Sequence, residues 1–384
     1  MSAPYYEGDG VTVYHGDCIE VMRSMPDASV HAVVTDPPYG LGFMGKAWDD
    51  LPPGLDFATE ALRVLKPGGH MLAFGGTRTW HRLTVAVEDA GFEIRDSIAW
   101  LYGQGMPKSP NVGRLISELG DSAEAAKWRG YSAQLRPSFE PIVVARKSLA
   151  GTLAETVLAH NVGALNIDGC RFGGPSTSAA LRAAARVAAQ NGRTWGMDGI
   201  ASSAASDAHW ASNPSDDLGR WPTNAILDGV AADLLDAQAG VRNSGYGDTG
   251  FASRYFPTFR YEAKAPRSER PVADGTQHPT VKPLDLMRWL VRLVTPTGGT
   301  VLEPFAGSGT TLEAALIEGF NVIGIEREDT YLPLIMQRIT KPLQQSLFSD
   351  DVAETPKWYP AYDEVRSSGW SGAEEAFDLG GGVS

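Results

Sequence analysis

Asp36-Pro37-Pro38-Tyr39 is the stretch of this chain best suited to chemistry. It follows Val30-His31-Ala32-Val33-Val34-Thr35, an apolar run that reads as a buried parallel strand. Two prolines directly after a strand cannot continue its hydrogen-bond ladder, so the chain leaves the sheet there. Asp36 and Tyr39 are thereby held on a stiff bend at the carboxyl end of a strand, where ligands bind in open α/β sheets. The chemistry this suits is attack by an exocyclic amine conjugated into an aromatic ring. Such a nitrogen is a poor nucleophile because its lone pair is delocalised. The Asp36 carboxylate and the Pro37 carbonyl would accept its two N–H hydrogens, drive it toward tetrahedral geometry and free the lone pair. Tyr39 offers a face for stacking, as an extruded nucleobase needs. Alone, the stretch reads equally well as a strand-ending turn that begins with Asp.

A second stretch could hold the other reactant. Thr300 to Phe305 reads as a strand that runs into Ala306-Gly307-Ser308-Gly309-Thr310-Thr311, with a helix from Leu312. A strand, a tight glycine turn and a helix N-terminus suit a nucleoside-bearing ligand. Glu326 ends the next strand, Phe320 to Glu326, where it can accept hydrogen bonds from two ribose hydroxyls. A dinucleotide fingerprint needs a third glycine where Leu312 stands, and a P-loop needs a lysine that this turn lacks. S-adenosylmethionine fits better, with its amino-acid end near the glycine turn and Asp36. Its sulfonium is a strong methyl donor, so the protein need mainly align donor and acceptor.

Seven strands are expected, near residues 11, 30, 70, 94, 141, 300 and 320. Helices follow from Cys18, from Phe57 to Leu65, from about Arg78 to Ala90 and from Leu284 to Val294. This alternation predicts a doubly wound α/β sheet, parallel or mixed. The rhythm fails from Lys147 to about Gln277. Residues 174–218 are rich in Ala, Ser, Gly and Asn and read as a mobile loop, with a helix from Ala179 to Ala189 as the alternative for that part. From 242 to 270, six bases (Arg242, Arg254, Arg260, Lys264, Arg267, Arg270) face three acids (Asp248, Glu262, Glu269). Bases interleaved with aromatics suit phosphate contact and base stacking; the alternative is an ordinary solvated face.

The formal net charge of -13 argues against indiscriminate nucleic-acid binding without excluding a local basic surface. Nearly half of it lies after Gln345, where eight acids meet two bases. The two cysteines, Cys18 and Cys170, match no metal spacing, and no metal site is expected. The absence of a secretory or transmembrane pattern predicts a cytoplasmic protein with no membrane association.

Three motifs together resemble a known family, the amino-directed DNA methyltransferases. Asp36-Pro37-Pro38-Tyr39 resembles their catalytic motif, and Glu303-Pro304-Phe305-Ala306-Gly307-Ser308-Gly309-Thr310 resembles their cofactor turn. His278-Pro279-Thr280-Val281-Lys282-Pro283 resembles the segment that closes over the methionine moiety. Catalytic motif first, then a long variable region, then cofactor turn is the order of the β group. The likeness covers residues 11 to about 147 and 277 to 340. It implies a seven-stranded mixed sheet of the S-adenosylmethionine-dependent type with an inserted target-recognition region, double-stranded DNA as substrate, and often a homodimer. It also implies that Gly16-Asp17 lies beside the cofactor adenine, and that Thr280 and Lys282 lie near its methionine part. Trp100 stands where an aromatic near the flipped base is often found; a packed core tryptophan is the alternative. Glu303 departs from the commoner Asp but keeps the charge. Asp at the head of the catalytic motif is associated with adenine N6, Ser with cytosine N4.

The expected organisation is a catalytic half (1–147), a target-recognition insertion (148–277), a cofactor-binding half (278–343) and an acidic, disordered tail (344–384). The expected activity is methylation of adenine N6, with cytosine N4 as the alternative. RNA or protein-glutamine methylation and an inactive DNA-binding module stand behind it. Asp36, Pro37, Pro38 and Tyr39 would be catalytic. Asp17, Cys18, Asp36, Thr280, Lys282, the turn from Glu303 to Thr310 and Glu326 would bind cofactor, and Trp100, Arg254, Arg260, Lys264 and Arg267 would meet DNA. Direct transfer to an amine needs no covalent cysteine. In the tail, Gln344-Gln345-Ser346-Leu347-Phe348 resembles the peptide that docks bacterial proteins on the sliding clamp. The alternative is that Leu347 and Phe348 pack back onto the core.

Overall fold

The structure is a computed structural model of the 384-residue chain. It describes residues 3–42, 49, 52–103, 105, 109–173, 219–243, 249–259, 271–273 and 275–341. These belong to one compact unit, Met1–Gln344. The 174–218 loop, Arg260, Lys264, Arg267 and the clamp-like residues Gln344, Leu347 and Phe348 lie outside the described residues.

The first half supplies β1 (Tyr6–Gly8), β2 (Val11–His15), β3 (Val30–Thr35), β4 (Leu65–Phe74), β5 (Glu93–Leu101) and β6 (Phe139–Arg146). The rest adds β7 (Ala225–Asp228), β8 (Arg242–Asn243), β9 (Thr249–Gly250), β10 (Thr258–Phe259), β11 (Thr300–Glu303) and β12 (Asn321–Glu326). All but β8 and β9 form one sheet in the order β1-β2-β12-β11-β3-β4-β6-β5-β7-β10. It contains the seven expected strands and three more. Two of the additional strands, β7 and β10, come from the region where no strand was expected. β7 offers only Ile226 and Leu227 as large apolar residues, too few to show a period, and is recruited through Ala99, Trp100 and Leu101 of β5.

Helices α1 (Cys18–Ser24), α2 (Leu55–Val64) and α3 (Trp80–Asp89) cover one face of the sheet. Helices α4 (Val112–Glu118), α5 (Ser122–Lys127), α6 (Leu153–His160) and α7 (Gly229–Ala239) fall between β5 and β8 in the chain. Helices α8 (Leu284–Val294), α9 (Thr310–Ile317) and α10 (Leu332–Ile339) cover the opposite face. Along β3, Val30 and Val33 enter the first layer while Ala32 and Val34 enter the second. Burial on both faces is why this strand reads as a continuous apolar run.

β3 pairs in parallel with β11 on one side and β4 on the other, and β12 continues in parallel beyond β11. The carboxyl ends of β2, β12, β11, β3 and β4 therefore share one edge. β6 runs antiparallel to both β4 and β5. Its beginning, not its end, comes to that same edge, opposite Phe74 and Trp100.

Candidate active site

The bend after β3 is fixed from several sides. Thr35 is buried and donates from Oγ1 to Glu303 Oε1 at 2.5 Å. Asp49 accepts from the backbone N–H groups of Tyr39 (2.7 Å), Gly40 (3.0 Å) and Leu41 (3.2 Å). Thr79 Oγ1 donates to the Tyr39 carbonyl at 2.5 Å. No sequence pattern singled out Asp49 or Thr79, because their role depends on distant chain meeting the bend.

The Tyr39 hydroxyl donates to Asp36 Oδ1 at 2.8 Å and lies 3.1 Å from Glu140 Oε2. Lys282 Nζ donates to Asp36 Oδ2 at 2.6 Å and to the Tyr39 hydroxyl at 3.0 Å, and lies 3.3 Å from Glu140 Oε2. The ammonium also sits 4.7 Å from the centre of the Phe74 ring and 5.3 Å from that of Tyr39. Burial alone would lower the Lys282 pKa, but the Asp36 and Glu140 carboxylates hold it above the ordinary lysine value. Burial, then those two carboxylates, push the Tyr39 phenol well above its usual range. Both groups are thus protonated at neutral pH. Sequence reasoning missed Glu140. Only the reversed direction of β6 brings it to this edge.

The turn after β11 divides into a framework and an exposed part. Glu303 is 1 % exposed and accepts from Thr35, from the Phe305 N–H (3.0 Å) and from Thr311 Oγ1 (2.6 Å). Burial pushes its carboxyl up to about 8 against the pull of those donors. Its oxygens face inward, so it holds the turn rather than offering itself to a ligand. Pro304, Ala306, Ser308, Gly309 and Thr310 are buried as well, which leaves Phe305 and Gly307 as the partly open positions between Glu303 and Thr310. Gly309 has φ +81°, and a Cβ there would stand 3.2 Å from Ile335 Cα of α10. Gly307 has φ +52°, and its Cβ would stand 3.0 Å from His278 Nε2. At the position of the missing third glycine, Leu312 packs onto Gly324 of β12. There the glycine lies on the strand, because a Cβ on Gly324 would come within 2.7 Å of Leu312.

Glu326 ends β12 beside this turn. Its Oε2 accepts from the Gly307 N–H at 2.6 Å and its Oε1 from the Glu328 N–H at 2.8 Å. Burial pushes its carboxyl up to about 7, partly offset by those N–H groups. The end of β2 is tied to β12 through the Gly16 N–H and the Glu326 carbonyl (2.9 Å). Asp17 caps α1, accepting from the N–H groups of Ile19 (2.9 Å) and Glu20 (3.3 Å). Cys18 and Cys170 are both buried, and burial pushes each thiol up to about 12. Neither is a thiolate at neutral pH. His278 Nδ1 is hydrogen-bonded to the Thr280 carbonyl, its ring lies 4.6 Å from that of Tyr331, and Thr280 is exposed.

The structure thus brings Asp36, Tyr39, Lys282, the Glu303–Thr310 turn, Glu326 and Asp17 to one edge of the sheet. Trp100 is different: it is 1 % exposed and packed between Phe74 and Tyr102, at 6.4 and 5.6 Å between ring centres. Alternation on β5 turns its side chain into the core, so the expectation that it stacks on a base gives way to the packed alternative. Arg254 donates to the carbonyls of Gly250 (2.6 Å) and Phe251 and to the Tyr255 hydroxyl (2.9 Å), and stacks 4.3 Å above the Tyr255 ring. Among the described residues no cluster of His, Cys, Asp and Glu could hold a metal ion, and no helix is long and apolar enough to cross a membrane.

The fold is a mixed α/β sheet whose strand ends gather an acid-bearing bend, a glycine turn and a buried glutamate on one edge. A family model described as DNA methylase matches residues 30–337, and the chain belongs to that family, the N6/N4 DNA methyltransferases. Type II methyltransferase M.HindIII of Haemophilus influenzae is 24% identical over 375 residues, spanning 85% of this chain and 94% of that protein. Type II methyltransferase M.BglI of Bacillus subtilis is 48% identical over 63 residues, 16% of this chain and 18% of that one. Among solved structures, the cytosine-N4-specific PvuII DNA methyltransferase aligns with TM-score 0.45 at 15% identity, covering 92% of each chain. M1.HpyAVI aligns with TM-score 0.42 at 17% identity, covering 86% of this chain and 98% of that one. The protein is a DNA methyltransferase that uses S-adenosylmethionine. The residues suit that cofactor: Asp17, Asp36 and Glu326 place carboxylate oxygens along this edge, Lys282 is paired with Asp36, and the turn itself holds no base for a pyrophosphate.

Proposed function

We propose that this chain methylates adenine N6 at a specific sequence in double-stranded DNA. The observation that carries this is an aspartate, not a serine, at the head of the bend after β3, on the edge that also presents Glu326 and the glycine turn. The cofactor supplies an electrophilic methyl group. Asp36 and the Pro37 carbonyl accept the two amine hydrogens, and Pro38 keeps the bend stiff. Tyr39 offers its ring to the extruded base. Glu326 accepts from the ribose, Asp17 and Cys18 flank the adenine, and Phe305 and Gly307 line the cofactor, with the remainder of the turn holding them in place. Thr280 and Lys282 belong to the segment that closes the methionine end. The enzyme aligns the amine with the methyl group for in-line attack, and the buried thiols take no part.

Residues 148–277 are assigned to target recognition, supported by the interleaved bases and aromatics there. If Arg260 and Lys264 meet phosphates, replacing either with Ala weakens binding alike across sequences and lowers the salt slope by about one. An unchanged slope in both moves the DNA surface elsewhere. Clamp docking through Gln344, Leu347 and Phe348 rests on the sequence pattern, and homodimer formation on the family resemblance. Absence of clamp binding at micromolar concentration would remove the first, and a monomer in sedimentation the second.

Methyl transfer from labelled cofactor to duplex DNA, RNA and protein in parallel tests the activity. Label should enter duplex DNA, and Asp36→Ala should abolish it while leaving the fold intact. Undiminished transfer by that variant would sink the assignment of Asp36.

A further inference from the structure

Both carboxylate oxygens of Asp36 already accept a hydrogen bond, Oδ1 from the Tyr39 hydroxyl and Oδ2 from Lys282. Each oxygen keeps a second acceptor site, but while Asp36 neutralises the Lys282 ammonium it is a weaker acceptor for the target amine than once that ammonium has moved away. The ammonium is nearly buried, its side chain 10% exposed, and a charge there needs a counter-ion throughout. Glu140 is the other carboxylate within reach of both donors, 3.1 Å from the Tyr39 oxygen and 3.3 Å from Lys282 Nζ. It stands at the start of the antiparallel strand β6, on a different element from the bend and from Lys282, so it need not move with either.

We propose that Glu140 is a positioning residue: it takes Lys282 and the Tyr39 hydroxyl over from Asp36 when the target amine arrives. Short side-chain rotations make the exchange, since Lys282 already touches both acids. The ammonium stays paired in both arrangements. No bond is made or broken in this step, and the proton on Lys282 and that on Tyr39 stay where they are. The proposal rests on the reading of Asp36 as the amine acceptor.

The test is single-turnover methylation of a duplex substrate by the full chain at saturating cofactor, with cofactor affinity measured separately for each variant. Glu140→Gln keeps the shape but removes the charge, so Lys282 remains on Asp36. Its rate constant should fall about tenfold or more, the scale of a charge-assisted hydrogen bond that stays on the acceptor and weakens it. Glu140→Asp, which restores the charge, should recover part of the loss. Glu140→Gln combined with Lys282→Met removes the competing ammonium and should be faster than Glu140→Gln alone, a coupling of opposite sign to the independent effects of two structural residues. A wild-type rate for Glu140→Gln overturns the proposal. So does a double variant that is no faster than Glu140→Gln, or no recovery with Glu140→Asp. Asp36→Ala in the same assay separates the two levels. If it is inactive while Glu140→Gln is normal, only the role of Glu140 falls. If it transfers normally, the reading of Asp36 falls too.

Discussion

Cofactor affinity should depend on pH through Glu326. This carboxyl is buried at the end of β12, and its pKa is raised from 4.5 to about 7. A rise of that size corresponds to about 3 kcal/mol. The sign follows from linkage: a raised acid contributes stability that is fully present below about 4.5 and is lost as pH rises through about 7. In the proposed site the ribose hydroxyls donate to the ionised form, so binding below pH 7 would have to expel the proton. With a pKa of about 7, the ionised fraction changes about tenfold between about pH 8 and about pH 6, and the Kd for S-adenosylmethionine should weaken by the same factor. Titration calorimetry on the full chain in two buffers of different ionisation enthalpy reads both the Kd and the protons released. About one proton should be released near pH 6 and few at pH 8. Glu326→Gln keeps an acceptor oxygen without the ionisation and should abolish both trends. A wild-type Kd independent of pH would refute the reasoning. A slope that survives in Glu326→Gln would place the titration elsewhere, for instance on Glu303.

Three further outcomes follow from the same edge of the sheet. Glu303→Ala leaves the hydroxyls of Thr35 and Thr311 and the Phe305 N–H without their buried acceptor, and should cost about 3 kcal/mol in denaturant unfolding, with Glu303→Gln costing less. Gly309→Ala forces a side chain into positive φ against Ile335, and should destabilise by about 1–3 kcal/mol and weaken cofactor binding. A normal melting temperature would show that the turn relaxes freely. The Cys18→Ala/Cys170→Ala variant should fold and, at saturating cofactor, transfer methyl groups at near wild-type rate, because both thiols are held protonated by burial. A folded, cofactor-binding variant without activity would count against direct transfer.

The parallel core was legible because each strand lies under helices on both faces and each carries its own apolar run, as Val30 to Thr35 does. The glycine turn and Glu326 were legible because the turn and the strand end are local features. What the turn does was only half legible. Glu303 looks like a ligand-facing acid in sequence, yet its partners Thr35 and Thr311 turn it into an internal brace. Glu140 and Asp49 carried no signal, since an isolated acid acquires a role only when antiparallel pairing or loop closure brings distant chain to the bend. Trp100 misled because a tryptophan near a strand end suits both a stacking platform and a core, and the pleat of β5 decides between them. β7 was missed because four residues beside a helix show no period, and pairing with β5 supplies what local pattern lacks.

The central claim is that an exocyclic amine attacks the methyl group directly. It is tested most directly by digesting methylated duplex DNA to nucleosides after incubation with the full chain and isotopically labelled cofactor, then resolving the labelled product by mass spectrometry. The account predicts label on N6-methyldeoxyadenosine. N4-methyldeoxycytidine would keep the mechanism and overturn the choice of base. Label on 5-methyldeoxycytidine would contradict the account, because methylation at a ring carbon cannot proceed from an amine held by Asp36.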